Sequence, residues 1–141
     1  IQMAFDHVKG VTATEVGFMG GSLKNPSYED VSYKETGHAE VVHVEFDPSL
    51  VTYEKLLEVF FKKHDPTQVD RQGPDVGTQY RSVIFFHTEA QQKAAIKAIE
   101  KLEKSKKYED PIATHVEKAK TFYPAEEYHQ KYLEKRGLKT C

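Results

Sequence analysis

Two polar stretches of the chain carry the residue types that acid–base chemistry uses. The first comprises residues 20–28 and 36–40, and the second comprises residues 64–82. Stretches of this length inside a compact domain are usually functional or disordered. Their glycines and prolines argue against simple disorder, so we expect the functional site to be built from these two stretches.

Glu40 is the most informative single residue. It shares the alternating pattern of Val42 and Val44, which directs it towards the apolar face of a predicted strand. Burial disfavours the ionised form of a carboxyl group, so a buried Glu40 would be the protonated acid that general acid catalysis needs. Two other interpretations stay open: an exposed position at the end of the strand, and an ion pair with Arg71 or Arg81.

Tyr28, Tyr80 and Asp75 are further candidates. The phenolic hydroxyls of Tyr28 and Tyr80 could donate hydrogen bonds to a developing oxyanion. The alternative is packing with a hydroxyl that reaches the surface, which is the commoner arrangement for tyrosines in loops. Asp75 could orient a partner or a water molecule, or it could simply belong to a turn, because Pro-Asp-Val-Gly is typical of turns.

The histidines and glycines predict neither a metal site nor a phosphate loop. His38 and His43 lie five positions apart, His64 is adjacent only to Asp65, and this spacing does not match a zinc site. Residues 17–21 are rich in glycine, but no lysine–serine element follows them. We therefore expect no metal and no cofactor held by a phosphate loop.

Cys141 is the one cysteine of the sequence and its last residue. A single cysteine cannot form an internal disulfide, which fits a reducing compartment, and we expect a cytoplasmic location. A thiol at a chain end would be mobile and accessible, as thiol–disulfide exchange requires. The alternative is an incidental surface thiol.

The composition is that of one globular domain. The 141 residues include 38% hydrophobic and 30% charged residues, with a formal net charge of -2. This balance gives no reason to expect nucleic acid or an anionic membrane as a partner. No apolar run approaches the roughly 20 residues of a membrane helix, and no signal peptide is visible. We expect a monomer.

Hydrophobic periodicity predicts the elements that position the two polar stretches. Helices are expected up to about Val8, from Thr52 to about Lys63, from Thr88 to about Lys106 and from Pro124 to near Gly137, and strands at Val11–Phe18, Ala39–Phe46, Ser82–His87 and, more weakly, Thr114–Lys118. This order favours an α+β fold: a two-layer sandwich of mostly antiparallel, ferredoxin-like sheet with packed helices and long loops, although the strand order stays open.

The same periodicity predicts helix caps and core faces. Thr52 is expected to cap the second helix, and Thr88 with Gln91 to form a capping box for the third. The expected core residues are Tyr53, Leu56, Leu57 and Phe60 of the second helix and Ile96, Ile99 and Leu102 of the third.

Two motifs resemble the methionine sulfoxide reductase A pattern. One is Thr36-Gly37-His38-Ala39-Glu40, followed by Phe46-Asp47-Pro48. The other is His64-Asp65-Pro66-Thr67 together with the continuous run from Arg71 to Ser82. The second motif is long and highly specific, and the resemblance covers roughly residues 1–133.

The resemblance implies thiol-dependent reduction of the S epimer of methionine sulfoxide, free or in proteins. A cysteine thiolate attacks the sulfur, the oxygen is protonated, methionine leaves, and the resulting sulfenic acid becomes a disulfide that thioredoxin reduces. Thioredoxin is thus the external reductant, and no other cofactor is implied. The matching positions make Glu40 the acid, Tyr28 and Tyr80 hydrogen-bond donors to the oxygen, and Asp75 a residue that shapes the site through water. Cys141 lies beyond the matched residues and is the candidate for the resolving cysteine because of its accessible position at the chain end.

The chain departs from the family at its beginning. The family nucleophile lies in a Gly-Cys-Phe-Trp-Gly motif, and Ile1 and Gln2 resemble the pair that follows it. Phe18 replaces the usual tyrosine, Asp70 replaces asparagine, and there is no tryptophan. We therefore expect residues 1–141 to be one reductase domain without its N-terminal nucleophile, a cysteine or selenocysteine, and inactive alone. The alternative is a non-catalytic domain that binds methionine sulfoxide.

Overall fold

The computed structural model describes residues 2–22 and 36–125. The elements in chain order are α1 (Gln2–Asp6), β1 (Val11–Met19), β2 (Ala39–Phe46), α2 (Tyr53–Lys62), β3 (Arg71–Gln72), β4 (Asp75–Val76), a 3-10 helix (Thr78–Tyr80), β5 (Val83–Phe86), α3 (Glu89–Ser105), β6 (His115–Lys118) and β7 (Tyr123–Pro124). Helices packed on mostly antiparallel strands confirm the α+β class. No helix of the described ranges is both long and apolar enough to cross a membrane.

β1 and β2 form the longest strand pair, and they bring Glu40 next to the core. The pairing is antiparallel and sets Val16 opposite Val42 and Phe18 opposite Glu40. Opposite residues of an antiparallel pair project from the same face. Glu40 therefore lies beside Phe18, which is fully buried. The predicted bounds of β2 are confirmed, because its alternating valines give a clear strand pattern.

Within residues 2–22 and 36–125, the strands are divided among three sheets. β7 pairs with the other edge of β1, so the order of the first sheet is β2-β1-β7. β3 and β4 form an antiparallel hairpin, and β5 pairs with β6 in parallel. A parallel pair needs a crossover connection, which α3 supplies here. The weakly predicted last strand is thus confirmed as β6.

Side-chain caps begin both long helices. The Thr52 hydroxyl accepts a hydrogen bond from the Lys55 N–H at 3.1 Å, and the Thr88 hydroxyl accepts one from the Gln91 N–H at 3.1 Å. The Gln91 side-chain oxygen accepts from the His87 N–H at 2.8 Å. The predicted capping box therefore closes one residue earlier than the usual geometry, on the residue before the cap.

α2 connects two hydrophobic clusters, and its apolar residues divide between them. The cluster towards β5 and α3 contains Leu57, Phe61, Ile84 and Ala95, and the cluster towards β1 and β2 contains Phe5, Val51 and Leu56. The predicted stripe of α2 omitted Phe61, which is buried. α2 thus packs against both the first sheet and the β5–β6 layer.

Three predictions about elements were wrong. Ile96 is 43% exposed, and Ala95 is instead the fully buried residue of α3, in one cluster with Leu57 and Phe61 of α2. Pro124 does not open a helix but lies in β7 opposite Gly17. The predicted continuation of that helix lies outside the described residues. The second polar stretch, residues 64–82, corresponds to one of the expected long loops but contains β3, β4 and the 3-10 helix.

Candidate active site

A cavity of about 320 Å³ lies between β2, α2 and the segment that enters β5. Apolar side chains such as Val42, Leu57 and Phe60 form much of its wall. Glu40 and Tyr80 also line it. Ligand sites commonly combine an apolar wall with a few convergent polar groups, so this cavity is the candidate active site.

Glu40 is the second residue of β2 and lines the cavity. It is half-buried, and it shares a face with Val42, as the alternation predicted. The structure therefore does not place Glu40 at a fully exposed strand end. Its role as an acid stays a prediction.

His38 fixes the backbone that leads into Glu40. Its side chain is 2% exposed, and its Nδ1 accepts a hydrogen bond from the Gly21 N–H at 3.1 Å. A Cβ atom on Gly21 would collide with the backbone of His38 and Thr36, so this contact requires glycine. Sequence reasoning considered His38 only as a metal ligand and missed this structural role, for which no sequence signal exists.

Arg81 joins the two polar stretches. Its guanidinium donates one hydrogen bond to the Thr78 carbonyl at 3.0 Å and another to the Gly37 carbonyl at 3.1 Å. The first bond stays within the second stretch, and the other crosses to the residues that precede Glu40. Tyr80, at the end of the 3-10 helix, is half-buried beside this crossing. The two stretches therefore meet at one place, as expected.

A chain of hydrogen bonds anchors the start of β5 behind the cavity. His64 Nδ1 lies 2.6 Å from the Phe60 carbonyl oxygen, and His64 Nε2 lies 2.7 Å from the Ser82 hydroxyl. The Ser82 hydroxyl in turn lies 2.7 Å from the Thr114 hydroxyl. A carbonyl only accepts, so Nδ1–H donates to Phe60; in the neutral ring Nε2 accepts from Ser82, which accepts from Thr114.

Burial lowers the pKa of His64 below its ordinary range. The Phe60 carbonyl and the charge of Asp65 oppose this effect, but desolvation outweighs them. The ring is therefore neutral at pH 7, in agreement with Nε2 as an acceptor. Both ring nitrogens are engaged, so His64 positions the segment around Ser82 and is not arranged as a proton donor to the cavity.

Asp75 lies apart from the cavity. It is an exposed residue of β4, opposite Gln72, and it is not among the residues that line the cavity. The hairpin is anchored through the Gln72 amide, which donates to the Asp65 carbonyl at 2.9 Å and accepts from the Asp65 N–H at 3.1 Å. The predicted action of Asp75 through water stays a prediction.

The Asp65 carboxylate shapes the turn that precedes the hairpin. It accepts hydrogen bonds from the Thr67 hydroxyl at 2.6 Å and the Thr67 N–H at 2.9 Å, and these bonds lower the pKa of Asp65. Tyr28 and Cys141 lie outside the described residues, so their expected roles also stay predictions. Within residues 2–22 and 36–125, no group of three or more His, Cys, Asp or Glu side chains could hold a metal ion.

The sequence matches the family described as peptide methionine sulfoxide reductase over residues 1–141. It is 57% identical, over 141 residues, to peptide methionine sulfoxide reductase MsrA of Methanothermobacter thermautotrophicus, a match that covers 100% of this chain and 83% of that relative. The MsrA of Geobacter metallireducens is 55% identical over 141 residues, which cover 100% of this chain and 87% of that one.

The fold also matches solved structures. The crystal structure of Mxr1 from Saccharomyces cerevisiae in reduced form superposes with a TM-score of 0.88 at 36% identity, covering 99% of this chain and 80% of that one. Methionine sulfoxide reductase A of Corynebacterium diphtheriae gives a TM-score of 0.84 at 36% identity, covering 99% and 71%. The chain therefore belongs to the peptide methionine sulfoxide reductase family, a family of oxidoreductases.

Proposed function

We propose that this chain recognises the S epimer of methionine sulfoxide, free or in proteins, and supports its thiol-dependent reduction to methionine. The observation that carries the proposal is an apolar cavity that holds a carboxyl group, Glu40, and a phenol, Tyr80. A methionine sulfoxide side chain has one strongly polar atom, the sulfoxide oxygen, on an otherwise apolar chain. The cavity supplies an apolar wall for the chain and hydrogen-bond donors for the oxygen.

The reaction needs a thiolate, a proton source and a reductant. The thiolate sulfur bonds to the sulfoxide sulfur, and the oxygen takes a proton from Glu40 while Tyr80 donates a hydrogen bond to it. The oxygen then shifts from the substrate sulfur to the enzyme sulfur as the sulfur–sulfur bond breaks, so that methionine leaves, reduced by two electrons, and the enzyme thiolate is oxidised by two electrons to a sulfenic acid. A second thiol converts the sulfenic acid to a disulfide with release of water, and thioredoxin returns two electrons.

In this proposal Glu40 is the acid and Tyr80 the hydrogen-bond donor, and both line the cavity. The one cysteine of the 141-residue sequence is Cys141, which lies outside the described residues. We propose Cys141 as the resolving thiol. We expect residues 1–141 alone to bind the sulfoxide without turnover. Thioredoxin as reductant and a cytoplasmic location belong to the same proposal, since both follow from thiol chemistry.

Glu40→Gln tests the proposal directly. The amide keeps the size of the side chain but cannot transfer the proton, so we expect single-turnover reduction by the intact gene product to fall about 10²- to 10⁴-fold at neutral pH. Mass spectrometry of a peptide containing methionine S-sulfoxide measures the rate, and the R-sulfoxide peptide is the control for stereochemistry.

Glu45→Gln is the matched control for Glu40→Gln. Glu45 lies on the same strand but on its opposite face, and it is exposed. We expect this variant to reduce the peptide at the rate of the unmodified protein. A Glu40→Gln rate within threefold of the Glu45→Gln rate would remove Glu40 from the reaction.

A non-catalytic sulfoxide-binding domain is the second candidate function. It is favoured by the apolar cavity with Glu40 and Tyr80 on its wall, since binding needs these groups alone. Calorimetry and turnover assays on the intact gene product separate the two functions. Binding of the S-sulfoxide peptide without any reduction in the presence of excess dithiol would select the binding function.

A further inference from the structure

Arg81 also borders a second, more open depression next to the candidate active site. Its wall is formed by small and polar residues together with two cations: Gly20, Gly21, Ser22, Thr36, Gly37, Thr78, Arg81 and Lys120. No carboxylate of the described residues belongs to this wall. Two positive charges on one wall make a depression attractive to anions.

Arg81 is held in place for such a ligand. A guanidinium has five N–H donors. One each from Nη1 and Nη2 goes to the Thr78 and Gly37 carbonyls, and the other three have no acceptor within residues 2–22 and 36–125. Since both partners are neutral carbonyls, they orient the side chain without cancelling its charge. The remaining donors suit a carboxylate, which a guanidinium binds in a forked geometry.

Gly20 makes room for this arrangement. Its φ angle is 93°, a conformation that favours glycine. A Cβ atom there would lie 2.7 Å from the Phe85 ring and 3.3 Å from Arg81 Nη2. Glycine at this position therefore keeps open the space in which the guanidinium lies.

Lys120 supplies the second charge. It is exposed and follows β6, and it forms no ion pair in the part of the chain that the structure describes. The ion pairs found there lie on α2 and α3, between Lys55 and Glu58, Lys62 and Glu58, and Lys93 and Glu89. The ammonium group of Lys120 is thus available to an incoming anion.

We propose that this depression binds a carboxylate of the substrate, either the α-carboxylate of methionine sulfoxide or an acidic side chain next to it in a peptide. The inference rests on the proposed function, because it uses the sulfoxide position. Arg81 lines both the cavity of Glu40 and the depression. A substrate with its sulfoxide beside Glu40 can therefore direct its main chain past Arg81 towards Lys120.

The test compares two small substrates of the intact gene product. N-acetylmethionine S-sulfoxide carries a carboxylate, whereas its methylamide is neutral. We expect the Lys120→Gln variant to lower kcat/KM for the carboxylate about three- to fivefold and to leave kcat/KM for the methylamide unchanged. Lys120→Glu adds repulsion and should lower kcat/KM for the carboxylate about tenfold. Lys120 is substituted instead of Arg81, because the hydrogen bonds of Arg81 to the Thr78 and Gly37 carbonyls also hold the backbone in place.

Lys118→Gln is the matched control, since Lys118 is exposed on β6 but does not border the depression. Two blocked peptides, with Asp or Asn beside the methionine sulfoxide, separate the sources of the carboxylate. A preference for the Asp peptide that disappears in Lys120→Gln supports recognition of a neighbouring side chain. A preference confined to N-acetylmethionine S-sulfoxide supports recognition of the α-carboxylate.

The outcomes distinguish this inference from the proposed function. Equal effects of Lys120→Gln on all four substrates, or no effect on any of them, would overturn the carboxylate site while the reduction itself stands. Failure of the unmodified protein to reduce even the neutral methylamide would contradict the proposed function, and the carboxylate site with it.

Discussion

Glu40 and His64 are two titratable side chains on one cavity, and their surroundings give them different tasks. Both ring nitrogens of His64 are hydrogen-bonded, to the Phe60 carbonyl and the Ser82 hydroxyl. Glu40 shares the cavity wall with Tyr80. A proton donor must reach the reacting atom in the bound complex. His64 therefore suits the positioning of the chain around Ser82, and Glu40 is the proton donor that we propose.

The lowered pKa of His64 predicts a loss of stability in mild acid. The unfolded chain takes up the proton below the ordinary value of about 6.5, whereas the folded chain resists it because the ring is buried. The contribution of His64 to stability is thus fully present above pH 6.5 and falls as the pH drops towards the folded pKa. Urea unfolding at pH 7.5 and pH 5.5 measures this loss.

His64→Gln isolates the contribution of this ring to the pH dependence. We expect the variant to be less stable at pH 7.5 by about 1–3 kcal/mol, because two buried hydrogen bonds are disturbed. It should also lose less stability between pH 7.5 and 5.5 than the unmodified protein does. His115→Gln changes an exposed histidine of β6 and serves as the control. An equal loss on acidification in His64→Gln and His115→Gln would refute the assignment.

At the scale of elements, the attachment of β7 depends on a glycine of β1. Gly17 lies opposite Pro124, and a Cβ atom on Gly17 would collide with the Tyr123 carbonyl and the Phe122 ring. The end of β7 is tied to β1 by the Ala125 N–H, which donates to the Val16 carbonyl at 2.9 Å. A short strand of two residues has few other bonds to hold it in the sheet.

Gly17→Ala should therefore detach β7 from β1. We expect a destabilisation of about 1–3 kcal/mol, as for other overpacked sites, together with faster hydrogen exchange at the Ala125 amide. Ala13→Val enlarges an exposed residue of the same strand and should change neither quantity noticeably. Unchanged exchange at Ala125 in Gly17→Ala would show that close approach to Gly17 does not hold β7.

The main elements could be predicted because their apolar residues recur at the regular spacing of a helix or a strand. β2 and α2 were found at almost their observed bounds, because several apolar residues mark each face and Thr52 marks the start of α2. β3 and β4 have two residues each, which is too short for alternation to appear. Pro124 carries a helix-start signal that pairing with β1 overrides. Short elements thus depended on tertiary contacts that the sequence pattern does not encode.

The candidate site was predictable only in part, for the same reason. Strand alternation directed Glu40 to the correct face, and the second motif contained Tyr80. The bond from Arg81 to Gly37 spans 44 positions, and the contact between His64 and Ser82 spans 18. Such contacts depend on how the elements pack, so the roles of Arg81 and His64 became visible only in the structure.

At the scale of the whole molecule, α2 makes the two layers one cooperative unit. Leu56 packs with the cluster under β1 and β2, while Leu57 and Phe61 pack with β5 and α3. The candidate active site lies between the same layers, with Glu40 on one and Tyr80 in the segment that enters the other. The geometry of the site therefore depends on the packing of α2 against both layers.

Phe61→Ala tests this coupling. The variant removes a buried ring from the cluster towards β5 and α3, and we expect a destabilisation of about 3–5 kcal/mol. If α2 couples the layers, hydrogen exchange should accelerate together in β1–β2 and in β5–β6, because both open in one global transition. Leu50→Ala truncates a residue that is 58% exposed and should leave exchange almost unchanged. Faster exchange confined to β5, β6 and α3 would instead mean that the layers open separately, and the distance across the cavity would then vary with local opening.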